Sequence, residues 1–362
     1  MGCRSPRRGP APSLAQALAV AAVALVVVLS GRPARADRND LRLVNLCDTS
    51  QGRGCPWVNQ TATRTTVTLD SGANTRLRSL MSELGAVIAP RLQTPADTLG
   101  FAGFQLSAEL DVTSISNERS FWNGIEGVQP ANPNLSRPSP WLTTVGGFVR
   151  KGMFSPVPSI ELGAGAVNVL QSSMWALEGY VKVAVQEGFH GSPLPSLAVR
   201  AGLSDLVGTD QLTLRVISLD LVISKAFSIA GTARFEPFLG GDLLLVSGHS
   251  GVIDATPECD AAVVQKTDPK NPAAVAALPR SCQLQAGTAA DLGANFTFPS
   301  QSIITRARWF GGGKLRLWKL FLVAQFAFIP GGGSRDGAAA MGAASDQSGG
   351  QKSVSLSVGL DL

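Results

Sequence analysis

The chain is short of charge, of histidine and of long apolar runs. Asp, Glu, Lys and Arg make up 16% of its 362 residues. Nucleic-acid binders carry a surplus of positive charge that displaces counterions from phosphate. Five of the 31 basic residues (Arg4, Arg7, Arg8, Arg32, Arg35) lie in 1–36, where there is no acid, and the rest of the chain holds 26 residues of each sign. That balance excludes a nucleic-acid partner. The two histidines, His190 and His249, stand near no Cys-x-x-Cys pair, so no metal site is expected. After residue 30 no stretch of 18 uncharged apolar residues occurs, which excludes helical membrane spans. Phosphate loops, dinucleotide fingerprints and metal-binding helix motifs are missing too, and no cofactor is expected.

What is present is apolar and rich in glycine: 44% hydrophobic residues and 39 glycines. Such a composition argues against disorder. High hydrophobicity without long runs points to strands. At the start of the chain, Arg4, Arg7 and Arg8 precede the apolar stretch Leu14–Ser30, and Ala34-Arg35-Ala36 follows. This is the pattern of a secretory signal peptide, with cleavage expected after Ala36. Cys3 leaves with it. Four cysteines remain, and in an exported chain an even number reads as disulfides. Three connectivities are possible; Cys47 with Cys55 and Cys259 with Cys282 are preferred because each closes a short loop.

Residues 37–73 are polar and irregular. From Asn74 to Ala89 the apolar positions Leu77, Leu80, Met81, Leu84, Val87 and Ile88 follow the helical period. Pro90 and Pro95 end the pattern. Residues 37–100 are expected to form a periplasmic or lumen-plugging segment with one short helix.

Beyond residue 100 the period changes to two. Phe104, Leu106, Ala108, Leu110 and Val112 alternate with Gln105, Ser107, Glu109 and Asp111, and Trp175, Leu177, Val181 and Val183 alternate with Ala176, Glu178, Tyr180 and Lys182. Ten such strands are predicted: 101–115, 141–153, 157–170, 173–187, 195–206, 211–225, 232–248, 301–311, 314–329 and 352–362. Twelve result if 62–70 and 83–90 form an extra hairpin. Most exceed the usual length of soluble strands, about 5–6 residues, and reach the roughly 9–11 that a tilted strand needs to cross a bilayer. The long connectors (116–140, 249–300, 330–351) all fall at odd positions in the series. The connectors at even positions are short and include Gly312-Gly313. Aromatic rings are expected in two belts, Trp309 and Trp318 near one rim, Phe326 and Phe328 near the other. The fold class is therefore all-β, an antiparallel up-and-down transmembrane β-barrel.

With the Arg234-Phe235-Glu236-Pro237-Phe238-Leu239-Gly240-Gly241 segment and a strand that ends the chain, this pattern resembles the Gram-negative outer-membrane β-barrel superfamily. The resemblance covers 101–362 and is architectural. It implies outer-membrane lipid and lipopolysaccharide as surroundings, the barrel-assembly machinery as partner during biogenesis, and the role of a narrow channel or a structural barrel. A secreted soluble all-β binding module and an outer-membrane hydrolase are the alternatives.

In such a barrel the polar face of each strand points inward. That face collects Glu109, Asp111, Glu161, Glu178, Glu236 and Asp242 together with Lys182, Arg200, Arg234, Arg306, Arg308 and Lys319. A ten-stranded bore is only slightly wider than the eight-stranded size that side chains fill. Unpaired charge inside it costs several kcal/mol, so these residues are expected to pair across the bore as a lumen lining. A catalytic reading rests on His249 and Ser250, with Asp254 close behind. Neighbours on a strand face opposite sides, however, and no catalytic residue is assigned.

Overall fold

The computed structural model describes residues 37–47, 59–61, 64–66, 71–91, 93–128, 137–153, 159–188, 194–229, 231–253, 296–336 and 344–362. Ten strands follow one another in the chain: β1 Phe104–Ser114, β2 Trp141–Gly152, β3 Ser159–Val169, β4 Trp175–Gln186, β5 Ser196–Val207, β6 Leu212–Ser224, β7 Ala233–Ser250, β8 Ile304–Leu317, β9 Leu320–Ile329 and β10 Gln351–Asp361. Each pairs antiparallel with the strand before and after it, and β10 pairs with β1. The ring is therefore closed and leaves no free sheet edge among these ten strands, which removes the liability of an exposed ladder.

Period-two alternation decides which side chains point where. On β6 the inward set Leu212, Leu214, Val216, Ser218, Asp220, Val222 and Ser224 is buried, while Ile217, Leu219, Leu221 and Ile223 are outward and 39–53% exposed. Val354, Leu356 and Val358 on β10 and Leu177, Val181 and Val185 on β4 are likewise outward and apolar. Charge appears on that face only toward the strand ends, as Lys151, Lys352 and the Arg215–Asp205 pair at 2.6 Å. A belt of exposed, uncharged apolar side chains bounded by charge is the surface of a barrel set in hydrocarbon. No described helix is long and apolar enough to cross a membrane.

The helix α1 spans Ser71–Ile88, three residues longer at its start than the apolar period indicates. It runs inside the ring. Leu77, Leu80, Met81, Leu84, Val87 and Ile88 are all buried and join an apolar cluster with Leu142, Val169, Leu212, Leu214, Val216, Leu244, Val246 and Ile304 from the inner wall. Each such side chain contributes about 1.5–3 kcal/mol by leaving water. Gly85 lets helix and wall approach closely, since a Cβ there would lie 2.7 Å from Val246 Cγ1. The polar face of α1 is buried as well and is bonded to the connectors. Arg78 donates to Ser302 O and Ser334 Oγ, both at 2.9 Å, and Glu83 accepts from Ser116 N, Trp122 Nε1 and Gly349 N at 2.7–2.9 Å.

Five expectations are corrected. The inward face is not polar throughout: toward the long connectors it is apolar, because α1 packs there. Gly312-Gly313 is not a turn. Both glycines sit inside β8, paired with Phe238 and Pro237, and a Cβ on Gly312 would lie 2.3 Å from Ala324 O. The chain reverses instead at Trp318-Lys319, with Trp318 at φ +56°, and this leaves Lys319 exposed outside the bore. Because β8 is longer than expected, Trp309 moves away from the rim and pairs directly with Phe328. The extra hairpin is not formed either, since 83–88 is helical.

The sidedness of the wall has a direct consequence. Leu356→Arg should destabilise the barrel by about 2–4 kcal/mol, the cost of a cation facing mid-bilayer, whereas the adjacent inward change Ser357→Ala should cost much less. Reversible denaturant unfolding in lipid measures both. A neutral Leu356→Arg would show that the face is solvated.

Candidate functional site

Strand register brings charge into one row. Glu161 stands opposite Lys182, Lys182 opposite Arg200, Arg200 opposite Asp220, Asp220 opposite Asp242, and Asp242 opposite Arg308. Six strands in succession, β3 to β8, each place one charged side chain at the same level, with signs − + + − − +. All six residues are buried. Three ion pairs follow: Lys182–Glu161 at 3.1 Å, Arg200–Asp220 at 2.9 Å and Arg308–Asp242 at 2.5 Å. Tyr180 donates to Glu161 at 2.6 Å, and the Arg200 guanidinium lies over the Phe310 ring at 5.5 Å.

The pairing is thus between neighbouring strands and not across the bore. The reason is what fills the bore. After α1, residues 89–91 and 93–100 run as an extended strap along the row. Arg308 donates to Pro90 O at 2.6 Å and Arg200 to Thr94 O at 2.9 Å. Lys182 donates to Pro95 O at 3.2 Å and Asp97 O at 2.8 Å. In the other direction Ala96 N donates to Ser224 Oγ at 3.0 Å, Thr98 N to Glu187 Oε1 at 2.8 Å and Leu99 N to Glu161 Oε2 at 3.0 Å. Each wall cation of the row therefore neutralises a wall carboxylate and also holds a strap carbonyl.

The other expected lumen residues fall around this row. Glu109 pairs with Arg150 on the adjacent strand. Asp111 pairs with Arg91 of the strap at 3.0 Å and accepts from Ser355. Arg234 is half-buried at the short-turn end and pairs with Asp97 at 2.6 Å and Glu236 at 3.4 Å. Arg306 lies near the long connectors and donates to Ser82 Oγ, Ser348 Oγ, Pro330 O and Gly349 O at 2.7–3.1 Å. Glu178 is buried, and its Oε2 has no hydrogen-bond partner among the described residues. The space left between Glu178, Glu109, Asp111, Arg91 and Gln93 is about 10 Å³, room for one water. Arg91, Asp97, Arg150, Glu187 and Asp220 are among the participants that sequence reasoning missed. Extending the period-two phase along β2 and β6 would have found Arg150 and Asp220. Nothing local marks Arg91 or Glu187.

His249 is exposed while Ser250 is buried and accepts from Phe298 N at 2.8 Å, so the two do not face each other. Among the described residues no three His, Cys, Asp or Glu side chains form a metal-holding group. Cys47 is buried; Cys55, Cys259 and Cys282, together with His190 and Asp254, lie outside the described residues.

No protein-family model matches the sequence, and no curated protein matches it. Solved structures similar to it include OmpT, an outer membrane protein of Vibrio cholerae (6% identity, 61% of each chain covered, TM-score 0.25). Neisserial surface protein A matches at 9% identity over 72% of this chain and 96% of that one, with TM-score 0.24. The translocator domain of the autotransporter NalP from Neisseria meningitidis matches at 11% over 73% and 89%, with TM-score 0.29. The match spans about three-fifths of the Vibrio protein's chain. The strand pairings above, and not these scores, carry the fold.

Removing one partner of a buried pair strands the other. Arg200→Ala should cost about 3–5 kcal/mol by leaving Asp220 uncompensated, whereas Glu178→Gln should cost far less, because the Oε2 it replaces has no bonded partner among the described residues. Denaturant midpoints in one lipid compare the two. Equal, small effects would mean that both side chains are hydrated.

Proposed function

We propose that the protein is an outer-membrane β-barrel of a Gram-negative envelope, exported behind residues 1–36, and that it is a narrow solute channel held shut by residues 71–91 and 93–100. The observation that carries the channel reading is the charged row. A purely structural barrel gains little from six buried charges, since apolar residues of similar volume usually stabilise as well or better. A row of both signs that also binds a strap is suited to a bore that opens. The apolar belt supports residence in lipid, with lipopolysaccharide as a neighbour and the barrel-assembly machinery as partner in biogenesis. The sorting of long connectors to one end supports that end as the outer one. A soluble binding module is disfavoured by the same belt. A hydrolase is disfavoured by the outward His249 beside the inward Ser250.

The double change Glu161→Gln with Lys182→Met tests this function. It removes one ion pair together, so no charge is stranded, and it takes away the donor that holds Pro95 O and Asp97 O. In planar bilayers the unaltered protein should be nearly silent and the double variant should conduct, with the barrel still folded by its heat-dependent gel mobility. Wide-pore conductance from the unaltered protein would rule out the shut bore. Silence from both would leave a structural barrel.

A further inference from the structure

The wall reads the strap by its backbone. Four carbonyls (Pro90, Thr94, Pro95, Asp97) accept from Arg308, Arg200 and Lys182, and three N–H groups (Ala96, Thr98, Leu99) donate to Ser224, Glu187 and Glu161. Carbonyls and N–H groups are common to any peptide, so this pattern of donors and acceptors is complementary to a chemical class and not to one sequence. One position is selective. The Ala96 methyl is fully buried in an apolar cluster that includes Ala184, Ala198, Val222, Phe238 and Phe310, so a larger side chain there would have to displace packed neighbours.

We propose that the charged row with Ser224 and Glu187 is a binding site for short peptides with a small central side chain, and that residues 93–100 occupy it as an internal ligand. This rests on the shut-channel reading and gives that channel its solute class. The wall carboxylates Glu161 and Glu187 meet peptide N–H groups or an amino terminus; Lys182, Arg200 and Arg308 meet carbonyls or a carboxylate. The six charges of the row sum to zero and Glu187 adds one negative charge, which a peptide's amino terminus answers, whereas a neutral sugar offers hydroxyls but no charge. Charge-assisted hydrogen bonds of this kind are about twice as strong as neutral ones.

The test alters the strap and leaves the wall intact. In the full chain, Thr98→Pro with Leu99→Pro deletes the two N–H groups that Glu187 and Glu161 accept, whereas Thr98→Ala with Leu99→Ala keeps both. If the wall reads backbone, the proline variant conducts in planar bilayers and the alanine variant conducts far less. Trialanine should then reduce the current of the proline variant at concentrations where maltose does not. Equal, measurable conductance of the two variants, or equal block by trialanine and maltose, would overturn the proposal. Should the proline variant fail to conduct, its melting temperature in detergent is measured with trialanine and with maltose. Stabilisation by trialanine alone supports the site, and no stabilisation overturns it. Opening of the Glu161→Gln, Lys182→Met variant without any of these peptide effects would leave the channel standing and remove only its solute class.

Discussion

Charge in a narrow bore must be compensated, and most of the interior follows from that constraint. Moving an ion from water to a low-dielectric interior costs several kcal/mol even after relaxation. The barrel meets this cost through register. Opposed residues on neighbouring antiparallel strands lie within reach of one another, so a row reading − + + − − + resolves into three adjacent pairs. Two like-charge junctions remain, Lys182 beside Arg200 and Asp220 beside Asp242. At the first of these, both cations have donors left over, and the strap's carbonyls at Thr94, Pro95 and Asp97 take them. The strap is thus part of the electrostatic solution and not merely an obstruction.

The bore has two levels. Toward the long connectors α1 fills it with apolar contacts, and Arg78, Ser82 and Glu83 tie the helix to 302, 334, 346 and 349. Toward the short turns the strap fills it with hydrogen bonds to ion pairs. Apolar packing of this kind is non-directional and hard to loosen in part. Hydrogen bonds to a charged wall have ready substitutes, in water or in a solute of matching chemistry. Opening is therefore easier at the strap level, and that is where the wall carries its recognition groups.

Much of this was legible in the chain before its fold. Ten strands could be marked because outward positions are apolar and uncharged, and because a strand crossing hydrocarbon is long. The inward phase of Glu178, Lys182, Arg200 and Asp242 followed from the same alternation. What was not legible depended on the third dimension. Partners could not be assigned because register is set by pairing, not by composition. Gly312 and Gly313 carry a turn signal, yet the missing side chain of Gly312 makes way for the Phe238 ring and the Ala324 carbonyl, and that of Gly313 for the Phe235 ring. Pro90 and Pro95 marked the end of a helix without marking the extended strap between and beyond them, because a strap bound by its backbone has no side-chain signature.

The central claim is that wall side chains hold the strap's backbone. Amide hydrogen exchange of the refolded full-length protein tests it most directly, at the amides of Ala96, Thr98 and Leu99. Each donates to a wall side chain, buried at Ser224 and Glu161 and half-buried at Glu187, so exchange should be as slow as that of a central strand amide such as Leu219. Exchange at the rate of an unstructured peptide would contradict the account.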